Sequence, residues 1–263
     1  MDKRYIYADN AATTKVSDSV LNAMMPYFQE NFANPSGLCS PATLAAKAIR
    51  QARADIAKCL GAEPGEVFFT SCGTEADNWA IKSAAELGRK SGKRRIITSK
   101  LEHHAVLKTC EYLQTKGFEI TYLPCSDSGI IDPDDLKKSI GNDVAVVSIM
   151  LANNEIGTIQ KVSEMAEICH EYGVLIHTDA VQAVGNVPVD FKALGVDMLS
   201  LSGHKIHAPK GIGTLIVRKG INLPAFIQGG KQESGKRAGT ENVPYIMALR
   251  QAISDATTDI ENR

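Results

Sequence analysis

The stretch "EVFFTSCGTEADN", residues 66–78, decides the fold class. Its first six residues form a short apolar run of strand-favouring type, and beyond Gly73 the pattern turns helical and continues through "TEADNWAIKSAAELGRK" (74–90). A strand that feeds a helix across one glycine turn is half of a βα unit. Similar β-rich runs recur outward from it at 95–99, 118–123, 144–150, 174–180, 197–202 and 213–218. Between most of them lie helical patterns at 103–117, 132–141 and 163–173, each closing at or near a glycine. In the second of these Asp132 suits the cap, Pro133 the first helical position, and Lys137 and Lys138 the negative end. Amphipathic patterns at 17–32 and 41–61 precede the series. The expectation is an α/β fold: a mostly parallel seven-stranded sheet flanked by helices on both faces.

A chain of 263 residues is near the upper limit for one hydrophobic core. With 29 basic and 30 acidic side chains its formal net charge is -1, which gives no electrostatic reason to expect nucleic acid or a membrane surface as partner. A small-molecule ligand is expected instead. The first fourteen residues hold no apolar leader, and the longest apolar run is too short to span a bilayer, so a soluble cytoplasmic protein is expected. Six cysteines, at 39, 59, 72, 110, 125 and 169, form no C-x-x-C pair, which suits free thiols in a reducing compartment.

In such folds ligands bind at the carboxyl ends of strands, and polar residues accumulate there. Gly73 and Thr74 fall at the strand-to-helix turn, where free N–H groups and the helix dipole favour a phosphate. Plain capping by Thr74, with Glu75 in the first turn, explains the same residues without an anion. His103 and His104 open the next helix, where one could cap or stack and the other be solvated. Asn153, Asn154 and Glu155 crowd before Gly157, as in a turn rich in side-chain to backbone hydrogen bonds. Asp179 ends an apolar strand three residues before Gln182, so its carboxylate needs a cation or donors, in the simplest case a structural lysine or arginine. Finally "SGHKIHAPKGIG" (202–213) brings Ser202, His204 and Lys205 to the same edge. A lysine, a strand-end carboxylate, an anion-binding helix start and an imidazole are the parts that hold pyridoxal 5'-phosphate: a Schiff base, a partner for the pyridine nitrogen, a phosphate cradle and a flat cover.

The strings "ADNAATT", "NPSG", "FTSCGTEADN", "EHHAV", "NNEIGT", "HTDAVQ", "SGHKIHAPKGIG" and "RAGTENV" run in order from about residue 5 to about residue 245. Together they resemble the motifs of NifS/IscS-type cysteine desulfurases, in the class-V aminotransferase branch of fold-type I pyridoxal phosphate enzymes. The resemblance implies that Lys205 carries the cofactor as a Schiff base and that Asp179 pairs with the pyridine nitrogen. It implies that His103 stacks on the ring and helps proton transfer, that Gln182 and Asn154 face the phenolic oxygen or the substrate, and that Gly73, Thr74, Ser202 and His204 bind the phosphate. Thr240 would reach the phosphate of a neighbouring subunit, so a homodimer is implied. The implied reaction removes sulfur from L-cysteine, leaving L-alanine and a protein-bound persulfide for an iron–sulfur scaffold or another sulfur acceptor.

The same resemblance divides the chain into an N-terminal segment associated with a small domain (1–15), a cofactor-binding large domain (16–250) and the start of a C-terminal small domain (251–263). It implies that the loop with the nucleophilic cysteine and the arginine for the substrate carboxylate belong to sequence beyond residue 263, so that turnover is impaired here. Cys72, beside the phosphate turn, reads as a small buried hydrophobe. Two other functions fit parts of the pattern. One is a non-catalytic scaffold that binds the cofactor. The other is a metal-dependent hydrolase using His103, His104, His177, Asp179 and His204, although Lys205 would then have no role.

Overall fold

A computed structural model describes residues 6–258 and Ile260. Within the segments 1–15 and 251–263, residues 1–5, 259 and 261–263 lie outside the described residues. The chain opens with α1 (Asp18–Met24), α2 (Pro26–Gln29) and α3 (Ser40–Cys59). It then alternates through β1 (Val67–Thr70), α4 (Gly73–Lys90), β2 (Arg95–Ser99), α5 (His104–Gln114), β3 (Glu119–Leu123), α6 (Pro133–Ser139), β4 (Val144–Ser148), α7 (Val162–Glu171), β5 (Leu175–Asp179), α8 (Phe191–Leu194) and β6 (Met198–Ser202). After β7 (Gly213–Val217) come the single turn α9 (Gln232–Gly235) and α10 (Val243–Thr258). All seven expected strands form, each within a residue or two of the apolar run that announced it. Asp132 caps α6 as read, its side chain accepting the Asp134 N–H at 2.9 Å.

The strands make one sheet in the order β1-β7-β6-β5-β4-β2-β3. The pairs β2–β3, β2–β4, β4–β5 and β5–β6 are parallel, and β7 runs antiparallel to both β6 and β1. Six strands therefore point the same way and deliver their carboxyl ends to one edge. Side chains alternate across the sheet with the two-residue period: Ile97, Leu199 and Ile216 join a core with α3, α7 and α10, while Ile96, Met198 and Leu215 join a second core with α4 and α5. The helix α4 lies close on the sheet because Gly88 has no side chain; a Cβ there would meet the Cβ of Ala145 at 2.4 Å. The helix α10, which the sequence reading does not name, packs against α1 and α3 and runs unbroken through residue 250.

Candidate active site

A cavity of about 530 Å³ opens at the carboxyl edge of the sheet, between the start of α4, the ends of β5 and β6, and residues 9–12. Nine of the ten residues expected to hold the cofactor line it: Gly73, Thr74, His103, Asn154, Asp179, Gln182, Ser202, His204 and Lys205. Thr240 does not. It is exposed and lines a separate pocket with Ser71, Arg237 and Glu241.

The start of α4 differs from the simplest reading in a useful way. Cys72, not Thr74, is the cap, its Sγ accepting the Glu75 N–H at 3.4 Å. Cys72 is correspondingly half-buried on the cavity wall rather than a buried hydrophobe. Thr74, one residue inside the helix and exposed, is left to face the cavity. Gly73 brings the helix start against the strand ends, since a Cβ there would meet Val181 Cγ2 at 2.7 Å and Ser202 Cβ at 3.3 Å. Glu75 would repel an anion if it turned inward, but Arg237 holds it through Nε at 2.8 Å and Nη2 at 3.1 Å, and the Ser71 N–H donates to it at 2.9 Å. Burial raises the Glu75 pKa, but the hydrogen bonds from Arg237 and Ser71 outweigh it and hold the carboxyl below its ordinary value.

Lys205 ends a short turn that follows β6. Its amine donates to the carbonyls of Ala11 and Ala12, the latter at 2.9 Å. Burial pushes its pKa down, with Asp9 and Asp179 opposing. The segment around Ala11 is a built wall of the site. Gln182 Nε2 donates to Ala11 O at 2.9 Å, His204 Nδ1 lies 3.1 Å from Thr13 Oγ1, and the Thr14 hydroxyl donates to His204 O at 2.9 Å while accepting the His207 N–H at 2.7 Å. From the residues alone nothing marks this segment; it entered only as a motif of the resemblance.

Asp179 is 4 % exposed, and its Oδ1 accepts the Val181 N–H at 2.8 Å. In place of a structural ion pair, it faces the Lys205 amine and the His103 ring, both on the cavity wall. His103 caps α5, with Nδ1 accepting the Ala105 N–H at 3.1 Å. The neutral ring therefore carries its proton on Nε2 and can donate it. In the turn after β4, Asn153 Oδ1 takes the N–H groups of Glu155 at 2.8 Å and Ile156 at 3.0 Å, which leaves its neighbour Asn154 to line the cavity.

Two buried acids were not found from the sequence. Asp77 is 1 % exposed and lines the cavity from below. It stands one turn after Gly73 on the buried face of α4, so an acid at an apolar position was the available signal. Glu102 is 5 % exposed; its Oε1 accepts the Ser99 hydroxyl at 2.8 Å and the Met150 N–H at 3.1 Å, and burial pushes its pKa up to about 8. The hydrolase alternative needs correction. His177 is fully buried with Nδ1 on Ser148 and Nε2 on Ser200, both at 2.9 Å, so it presents no nitrogen to a metal. The described residues contain no group of three or more His, Cys, Asp or Glu that could hold one.

Residues 6–261 match the aminotransferase class-V family. The chain belongs to that family. Among curated relatives it is 51 % identical over 260 residues to the cysteine desulfurase IscS of Methanosarcina thermophila, covering 99 % of this chain and 64 % of that protein. It is 50 % identical over 259 residues to the cysteine desulfurase IscS of Dictyoglomus turgidum, covering 98 % and 66 %. The chain thus spans about two thirds of the length of these relatives. Among solved structures, a NifS-like protein superposes with a TM-score of 0.95 at 42 % identity, over 98 % of this chain and 71 % of that one. SspA in complex with cysteine superposes with a TM-score of 0.91 at 41 % identity, over 94 % and 72 %. This class-V aminotransferase is a NifS/IscS-type homologue, and its seven-stranded sheet is the fold-type I architecture. Among its described residues no helix is long and apolar enough to cross a membrane.

Proposed function

We propose that the cavity binds pyridoxal 5'-phosphate and that the chain supplies the cofactor-binding part of a cysteine desulfurase, which removes sulfur from L-cysteine, leaves L-alanine and holds the sulfur as a protein persulfide for iron–sulfur cluster or thio-cofactor assembly. The observation that carries this reading is the meeting of Lys205, Asp179, His103 and the start of α4 around one cavity. The donor set fits the group: N–H groups and hydroxyls for a phosphate, a carboxylate for a cationic ring nitrogen, and an amine for an aldehyde. The cofactor, when bound, supplies an electron sink for the substrate's α-carbon. On this reading the first turn of α4, Thr74, Ser202 and His204 hold the phosphate, and Asp179 keeps the pyridine nitrogen protonated. Lys205, its charge weakened by burial, offers the amine. His103 donates from Nε2, and Gln182 and Asn154 fix the remaining edge.

Thr240, exposed and away from this cavity, is the residue we assign to the site of a second copy in a homodimer. Residues 16–250 form the cofactor-binding unit on this reading, extended by the last turns of α10, whose Ala252, Ile253 and Ala256 join the same core, and 1–15 belong to a smaller unit. The cysteine that receives sulfur must move between substrate and acceptor. Cys72, the one cysteine that lines the cavity among the described residues, is tied to the α4 cap and cannot, so on this reading these residues hold the cofactor without completing sulfur transfer. The six unpaired cysteines support a cytoplasmic setting.

The test is reduction with borohydride after addition of pyridoxal phosphate, followed by peptide mapping and by assay of alanine and sulfide from L-cysteine. Label on Lys205 is expected. Label on Lys210 or Lys231 would refute the assignment, and full turnover by these residues alone would refute the account of the missing thiol.

A further inference from the structure

Asp77 and Asp179 line the same cavity, the first 1 % and the second 4 % exposed. Two carboxylates in one dry site do not both ionise near neutral pH, and their surroundings decide which keeps the proton. Burial raises the pKa of Asp179 as well, but Asp179 has a fixed donor in the Val181 N–H and faces the Lys205 amine and the His103 ring, all of which oppose the rise. Asp77 has neither. Its Oδ1 makes no hydrogen bond, and it lies 3.5 Å from His177 Nε2, a ring whose two nitrogens are already engaged by Ser148 and Ser200. The other groups that face Asp77 are the Ser200 hydroxyl, which hydrogen-bonds the carboxyl, and the acidic or thiol side chains of Asp179, Glu102 and Cys72. His177 cannot supply a balancing charge, because burial pulls its pKa down to about 3.

We propose that Asp77 is a positioning residue that holds a proton beneath the cavity in the Asp77–His177–Ser200 cluster, so that Asp179 alone is ionised toward a bound ligand. Burial drives the Asp77 pKa well above the ordinary carboxylate range, with repulsion from Asp179 adding to it. The consequence for the ligand rests on the pyridoxal phosphate reading. An ionised Asp179 over a neutral acid is a localised single charge, suited to one cationic ring nitrogen, whereas two ionised acids would share and blur it.

The proton can be located without any cofactor. In cofactor-free protein labelled with 13C at aspartate carboxyl carbons, one resonance should stay at the position of a protonated acid from pH 5 to 8 while that of Asp179 stays at the position of a carboxylate. Asp77→Asn should remove the protonated resonance, and Asp179→Asn should not. In loaded protein, Asp77→Asn, which mimics a neutral acid, should leave the pH midpoint of the cofactor's visible band within about twofold in proton concentration of the wild type. Absence of a protonated aspartate resonance in the wild-type protein overturns the proposal whether or not the variants fold. So does its loss in Asp179→Asn in place of Asp77→Asn. Failure of the cofactor to bind, with the resonance present, would overturn the pyridoxal phosphate reading and leave the placement of the proton intact.

Discussion

Lys205 Nζ donates to the carbonyl oxygen of Ala12 at 2.9 Å, and the same amine also reaches Ala11 O. The reactive lysine of the proposed site is thus parked on the N-terminal segment until something takes it away. Each such bond to a half-exposed ammonium is worth about 1 kcal/mol. If Lys205 leaves to join an aldehyde, residues 9–13 lose these ties. Amide exchange at Ala12 and Thr13, whose N–H groups donate to Asp9 O, should then rise by about five- to tenfold on addition of pyridoxal phosphate. Unchanged exchange in a protein that has taken up the cofactor would show that the segment is held by Gln182 and Thr14 alone.

The approach of α4 to the strand ends depends on Gly73. In Gly73→Ala the new methyl collides with Val181 and Ser202, and the helix start must shift by a few tenths of an ångström or more. We expect a loss of about 1–3 kcal/mol of stability in urea unfolding, the usual cost of overpacking. Cofactor affinity should weaken by at least tenfold because the N–H groups proposed to bind its phosphate move with the helix. A variant as stable as wild type that binds equally well would mean that Val181 yields freely.

Arg237 is expected to act through Glu75. The pair is mostly buried, with side-chain exposures of 22 % and 11 %, and Arg237→Ala leaves an uncompensated carboxylate in the first turn of α4. Stability should fall by about 1–3 kcal/mol, and an anion at the helix start should bind more weakly. The double variant with Glu75→Gln should recover most of both. Isothermal titration with inorganic phosphate and with pyridoxal phosphate, alongside urea unfolding, gives the comparison.

Two buried groups should give the stability curve opposite slopes. Glu102 has a folded pKa of about 8, above the ordinary carboxylate value of 4.5, so its contribution is full below about pH 4.5 and is lost as the pH rises toward 8. His177 has a folded pKa of about 3, below the ordinary 6.5, so its contribution is full above about pH 6.5 and is lost as the pH falls toward 3. Glu102→Gln should flatten the alkaline fall and be more stable than wild type at pH 9, by on the order of 1–3 kcal/mol. Unfolding midpoints measured from pH 4 to pH 9 for both proteins test the sign. An alkaline slope that survives the substitution would exclude Glu102 as its source.

The elements, and most of the proposed site, can be read from the residues in order. Strands and helices were legible because their periods of two and 3.6 are local, and "VAVVS" or "DPDDLKKS" carries its own start, face and stop. The nine expected residues that line the cavity were legible because each stands at or just beyond a strand end, and a mostly parallel sheet sends those ends to one edge. Tertiary structure alone decided the rest. Whether Cys72 or Thr74 caps α4, and whether Asn153 or Asn154 is spent on its own turn, depends on backbone angles that both residues of each pair could accept. The reversal of β7, the wall made by residues 9–14, and the contact of Asp77 with His177 across 100 positions of chain are long-range. No local pattern encodes them, because they follow from how helices and strands pack once the sheet has formed.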